Sequence, residues 1–185
     1  TGVTTGQASI DGLAKVLTGL TSPAGIATLA VTGTVTAIAL IAKAVKNGDL
    51  VVFTKDTHYE DYLSTREGIF LPVEHCIKGT KGHQLFGELK IFEDEIRPNV
   101  IVLEKSDFGC DKLCEAIEEA FGGEPDEINF CGVVTNICVI SNIVLCQTHF
   151  KKAKLSLHLD ACAALGDMQK HAVEVIKGLG VEIVE

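Results

Sequence analysis

Several short runs in this chain are apolar almost from end to end, and helical patterns separate them. The runs are 50–54, 99–104, 127–133, 153–159 and 181–184, with a shorter one at 7–11. A strand without an alternating polar face has to be buried on both sides. Parallel sheets covered by helices meet that demand, so the pattern predicts an α/β fold. The intervening helices are expected at 35–46, 111–121, 136–148 and 168–179. Asn47-Gly48 and Gly122-Gly123 are good helix stops. The segment from 55 to 85 is rich in Gly, Pro, His and acidic residues and carries no regular period.

Parallel sheets place their binding sites at the carboxyl ends of strands. In this chain those ends carry ionisable side chains: Asp11 after the first run, Asp56 and His58 after the second, Lys105 after the third, Cys138 after the fourth and Asp160 after the fifth. No linker or internal repeat divides the chain, so residues 1–185 are expected to form one domain.

Composition narrows the function classes. The net charge is −9 and the basic residues are scattered, which does not fit nucleic-acid binding or an anionic membrane surface. Residues 16–42 contain no charge, but glycines and threonines dilute the apolar run, so a buried helix is expected rather than a membrane span. Seven cysteines without a CxxC pair point to reduced thiols in a cytoplasm. No secretory leader pattern is visible at the start of the sequence.

Cys138 lies in Phe130-Cys131-Gly132-Val133-Val134-Thr135-Asn136-Ile137-Cys138-Val139, which reads as strand, turn and helix start. Backbone N–H groups and the helix dipole at such a place favour a thiolate and can hold an oxyanion. Asp56-x-His58 puts two metal-capable groups on one side of an extended chain. His75 and Glu67 lie in the irregular segment that follows. Two imidazoles and a carboxylate suit Zn, Fe or Mn, with positions left open for water or substrate. A polar surface loop with unrelated histidines would have the same spacing. Lys105 is either a solvated strand end or a cation that lowers a thiol pKa. Asp11 is either a turn residue or a general base.

These residues resemble the isochorismatase-like cysteine hydrolases, and within them the nicotinamidases. The likeness is carried by Phe53-Thr54-Lys55-Asp56-Thr57-His58, by the stretch from Leu71-Pro72-Val73-Glu74-His75-Cys76 to Gly82, by Glu104-Lys105, by Gly132 to Val139, and by Asp160-Ala161-Cys162-Ala163. It covers about residues 48 to 185. It implies a three-layer α/β/α fold with a mostly parallel sheet and a triad of Asp11, Lys105 and Cys138. It implies a cis peptide between Val133 and Val134, with the N–H groups of Val134 and Cys138 as the oxyanion hole. Phe108, Phe70, Leu71 and Val133 would line the substrate pocket. Asp56, His58 and His75 would hold one divalent transition metal, Zn before Fe or Mn, with Glu67 as a nearby contributor. The run Asp11-Gly12-Leu13-Ala14-Lys15-Val16 departs from the family's outline: the glutamine is absent, and Val16 stands where an aromatic residue is expected.

The implied activity is conversion of nicotinamide to nicotinate and ammonia through a cysteine thioester. Alternatives are hydrolysis of another small amide, an isochorismatase-type reaction, or an inactive member that only binds. A small-molecule amide partner and a homo-oligomer are expected, with neither nucleic acid nor membrane as partner.

Overall fold

The computed structural model describes residues 27–185, with side chains from residue 36. The expected strand at 7–11, and Asp11 with it, lies outside the described residues.

The chain forms α1 (Ala27–Asn47), β1 (Val51–Asp56), α2 (Arg66–Phe70), α3 (Ile91–Asp94), β2 (Val100–Lys105), α4 (Leu113–Phe121), β3 (Glu127–Val133), α5 (Ile140–His149), β4 (Lys154–Ala163), α6 (Met168–Gly178) and β5 (Glu182–Val184). Helix α1 starts eight residues before the apolar period suggested. It stops where predicted: Gly48 takes φ +86°, and its amide donates to the Val45 carbonyl at 3.2 Å. No helix among the described residues is long and apolar enough to cross a membrane.

Among the described residues the strand pairings are all parallel. β1 pairs with β2 from Val51↔Val100 to Asp56↔Lys105. β4 lies between β3 and β5. The β3–β4 register shifts between Phe130 and Gly132, so Phe130 faces Leu157 while Gly132 faces Cys162. Asp160, which the sequence puts at a strand end, falls inside β4 and is exposed.

Helices α4 and α5 with their flanking residues pack Cys110, Leu113, Cys114, Ile117, Cys146 and Phe150 against Val52, Leu103, Ile128 and Phe130. Ile143 of α5 and Ile176 of α6 pack with Leu155, Leu157 and again Ile128 and Phe130. The two clusters therefore share one face of the strands. Ile143, Leu157 and Ile176 are fully buried, and each contributes about 1.5–3 kcal/mol. This packing fixes the strand ends that carry the polar groups.

Candidate active site

The in-register pair Asp56↔Lys105 ends β1 and β2 side by side. Lys105 is buried. Its Nζ donates to Asp56 Oδ1 at 2.7 Å and to the Asp107 carbonyl at 2.9 Å, and it lies 3.6 Å from Cys138 Sγ. Burial opposes its charge, but the Cys138 and Asp56 groups hold its pKa above the ordinary value. The ammonium is thus a fixed positive centre against the thiol.

Cys138 sits in a wide helical turn, Thr135–Val139, rather than in the first turn of one continuous helix from 136. The Val133–Val134 peptide before that turn is cis, as the resemblance implied. Asn142 on α5 holds the turn in place. Its Nδ2 donates to the Cys138 carbonyl at 2.9 Å, and its Oδ1 accepts from the Cys110 amide at 2.8 Å. Burial pushes the Cys138 thiol up, and the Lys105 ammonium only partly offsets this. Attack by a thiol requires that its proton pass to a base.

Asp56 presents its other oxygen to two imidazoles. Oδ2 lies 3.2 Å from His58 Nε2 and 3.3 Å from His75 Nε2. Glu67 Oε1 lies 3.5 Å and 3.7 Å from the same nitrogens. Among the described residues, one ligand atom from each of Asp56, His58, Glu67 and His75 lies within 4.8 Å of the others. His58 Nε2 and Glu67 Oε2 are buried and have no hydrogen-bond partner. Buried polar atoms are rarely left that way, so the donor set fits a cation. His75 Nδ1 donates to the Val73 carbonyl at 2.8 Å, which leaves its Nε2 lone pair facing the cluster. Burial would raise the Asp56 carboxyl, but the facing His75 ring and the Lys105 ammonium hold it well below the usual carboxylate range.

The irregular segment brings Glu67 and His75 in by local devices. Thr65 caps α2, its Oγ1 accepting from the Gly68 amide at 3.0 Å. Gly68 is needed there, since a Cβ would stand 1.9 Å from the Tyr62 carbonyl oxygen. Tyr62 is fully buried. Its hydroxyl donates to the Leu71 carbonyl at 2.9 Å, and its ring packs on His58 and His75 at centroid distances of 4.5 and 5.1 Å. The His58 amide donates to the Cys76 carbonyl, and the Lys78 amide returns to the His58 carbonyl.

The structure thus brings Lys105, Cys138, Asp56, His58, Glu67 and His75 together. Leu71 is buried against Leu165, with Val134 and Ile137 alongside. Phe108 is half-buried, while Phe70 and Val133 are 68 % and 63 % exposed. Asp107 is exposed and pairs with Arg66. Tyr62 and Asn142 had no sequence signal, because their partners are backbone groups brought in by folding. All seven cysteines are free.

The isochorismatase-domain family model matches residues 16–185. The chain belongs to the isochorismatase family. The family match begins after Asp11. The chain is 32 % identical over 140 residues to an uncharacterized isochorismatase family protein PncA of Bacillus subtilis (strain 168), covering 72 % of each. It is similar to the crystal structure of the nicotinamidase/pyrazinamidase PncA from Bacillus subtilis, at 26 % identity and TM-score 0.74, covering 84 % of this chain and 86 % of that one. The pyrazinamidase of Pyrococcus horikoshii in complex with zinc shares the fold at 21 % identity and TM-score 0.68, over 83 % of this chain and 84 % of that one.

Proposed function

We propose that this isochorismatase-family chain is a metal-dependent amidohydrolase of the nicotinamidase type. The observation that carries the reading is the double use of Asp56. One of its oxygens faces the His58–His75 pair, and the other holds the lysine that touches Cys138. The solved nicotinamidase relative supports the substrate class.

Asp56, His58, His75 and Glu67 would hold the ion. When bound, it supplies a Lewis-acid seat for a pyridine nitrogen and for water. Cys138 Sγ attacks the carboxamide carbon, giving up its proton to Asp11. The N–H groups of Val134 and Cys138 carry the oxyanion. The C–N bond breaks as Asp11 returns the proton to departing ammonia. Water then cleaves the thioester and releases the carboxylate, with Asp11 again as base. Lys105 keeps the buried site charge-balanced throughout.

Incubation of metal-replete protein with nicotinamide tests this, with ammonia and nicotinate as readouts before and after chelation. Chelator-sensitive release of both supports the reading. Hydrolysis indifferent to chelation, or none with any small amide, counts against it. A second reading is another small amide as substrate. It is favoured by the aliphatic contact of Leu71 with Leu165, Val134 and Ile137, which is not specific for an aromatic ring. The assay therefore includes non-aromatic amides.

Asp11→Asn is expected to lower the rate on the order of 10²-fold or more, since the thiol proton loses its acceptor. Full activity in that variant would pass the role to an acid beside Lys105. Asp107, whose carbonyl accepts from Lys105, and then Asp160 are the next candidates. A cytoplasmic setting that keeps the seven thiols reduced belongs to the same reading. So does a homo-oligomer, for which exposed Tyr59, Leu63, Ile69 and Phe70 offer apolar surface.

A further inference from the structure

The far side of the β1–β2 ladder carries polar side chains that the hydrolytic reading leaves unused. Successive strand residues point to opposite faces. Asp56 and Lys105 face the site, so their neighbours Lys55 and Glu104, also paired in register, face away. Lys55 Nζ lies 2.5 Å from Glu93 Oε1, and Lys78 Nζ donates to Glu104 Oε2 at 2.6 Å. His83 completes this group. Its side chain is buried, with Nε2 2.9 Å from Thr57 Oγ1 and 3.6 Å from Glu104 Oε1.

The Thr57 hydroxyl also lies 3.2 Å from the Lys55 carbonyl. Donating there, it accepts from a His83 ring protonated on Nε2; donating to Nε2, it pairs with the other tautomer, and the contact holds in both cases. Two lysines and two glutamates already balance around the ring, which favours the neutral form. Burial and the Lys55 ammonium act the same way, holding the His83 pKa below its ordinary value.

Thr57 is the residue between two candidate metal ligands. It is buried, and its amide continues the ladder by donating to the Lys105 carbonyl at 2.8 Å. Rotation at Thr57 would turn Asp56 and His58 relative to each other. We propose that His83 is a positioning residue for the metal centre: from the opposite face of the sheet it locks Thr57, and through Thr57 the relative placement of Asp56 and His58. The same bond ties the strand end that holds two ligands to the segment that holds His75. This role presupposes the metal-dependent site proposed above.

Zinc affinity of the metal-free 185-residue chain, read by competition with a chromophoric chelator, tests the role without any substrate. His83→Ala is expected to weaken zinc binding about tenfold or more. His83→Gln restores it, because the glutamine amide can hydrogen-bond from nearly the place of Nε2. Thr57→Val, which keeps the shape and removes the hydroxyl, weakens binding as His83→Ala does. The double variant His83→Ala/Thr57→Val loses no more than either alone, as expected for one shared contact. Thermal unfolding of each metal-free variant is recorded alongside. If His83→Ala fails to fold, Thr57→Val and His83→Gln decide. Wild-type zinc affinity in His83→Ala or in Thr57→Val overturns the proposal and leaves the metal-dependent reading standing. A wild-type chain that takes up no zinc overturns that reading, and the role of His83 with it.

Discussion

Replacing Cys138 with alanine abolishes amide hydrolysis and leaves the protein folded. The expected loss is on the order of 10⁴-fold or more, because the nucleophile and the proton it must give up disappear together. Stability should change little. The side chain is half-buried, and removing Sγ takes away one of three Lys105 partners. The ammonium keeps Asp56 Oδ1 and the Asp107 carbonyl, so no buried charge is stranded. Steady-state rates and thermal unfolding of the two proteins check both halves. Intact-mass analysis with an electrophilic amide analogue adds a direct test. Label should reach Cys138 before Cys76, Cys131 and Cys162, whose thiols burial pushes up to about 11, 11 and 12. Dominant labelling of another cysteine with Cys138 unreacted would remove it from the mechanism.

Loss of either imidazole should be nearly as severe. His58→Ala or His75→Ala removes one of two nitrogen donors from a four-residue set. Metal content of the purified protein should fall from one ion per chain toward none, and amide hydrolysis with it, by at least about 100-fold. Metal affinity in the wild-type protein should fall as the pH drops, because both rings ligate only when neutral. The two rings contribute unequally. Burial lowers the His58 pKa, so that ring is already neutral near pH 7. Burial acts the same way on His75, but the Asp56 bond and the Val73 carbonyl outweigh it and raise its pKa. A raised pKa keeps the proton on to higher pH, so His75 is the first ligand to be lost on acidification. Metal analysis across a pH series, in wild type and both variants, reads this. An ion retained in both alanine variants would locate it elsewhere.

The strand ends were legible because apolar runs and the residues after them lie close in sequence. Asp56 and His58 followed from alternation along one strand, and Lys105 and Cys138 from their places after two others. The start of α1 was not legible, since Thr28, Thr32, Gly33 and Thr34 have low helix propensity yet lie inside it. The wide turn at Thr135–Val139 was read as ordinary helix because a π-type turn leaves no mark on apolar spacing. Tyr62, His83 and Asn142 were missed for a different reason. Each is a polar residue made important by partners whose positions depend on the folded irregular segment or on the strand ends. No local period encodes such contacts.

The shared carboxylate of Asp56 has a thermodynamic consequence. Its two oxygens belong to one delocalised charge, so whatever draws on one is felt at the other. By reciprocity, the factor by which a bound ion changes the ease of ionising Cys138 is the factor by which that ionisation changes the ion's affinity. On the proposed reading, an ion held by Asp56 and the thiol beside Lys105 therefore share one free-energy cycle through the Asp56–Lys105 bond.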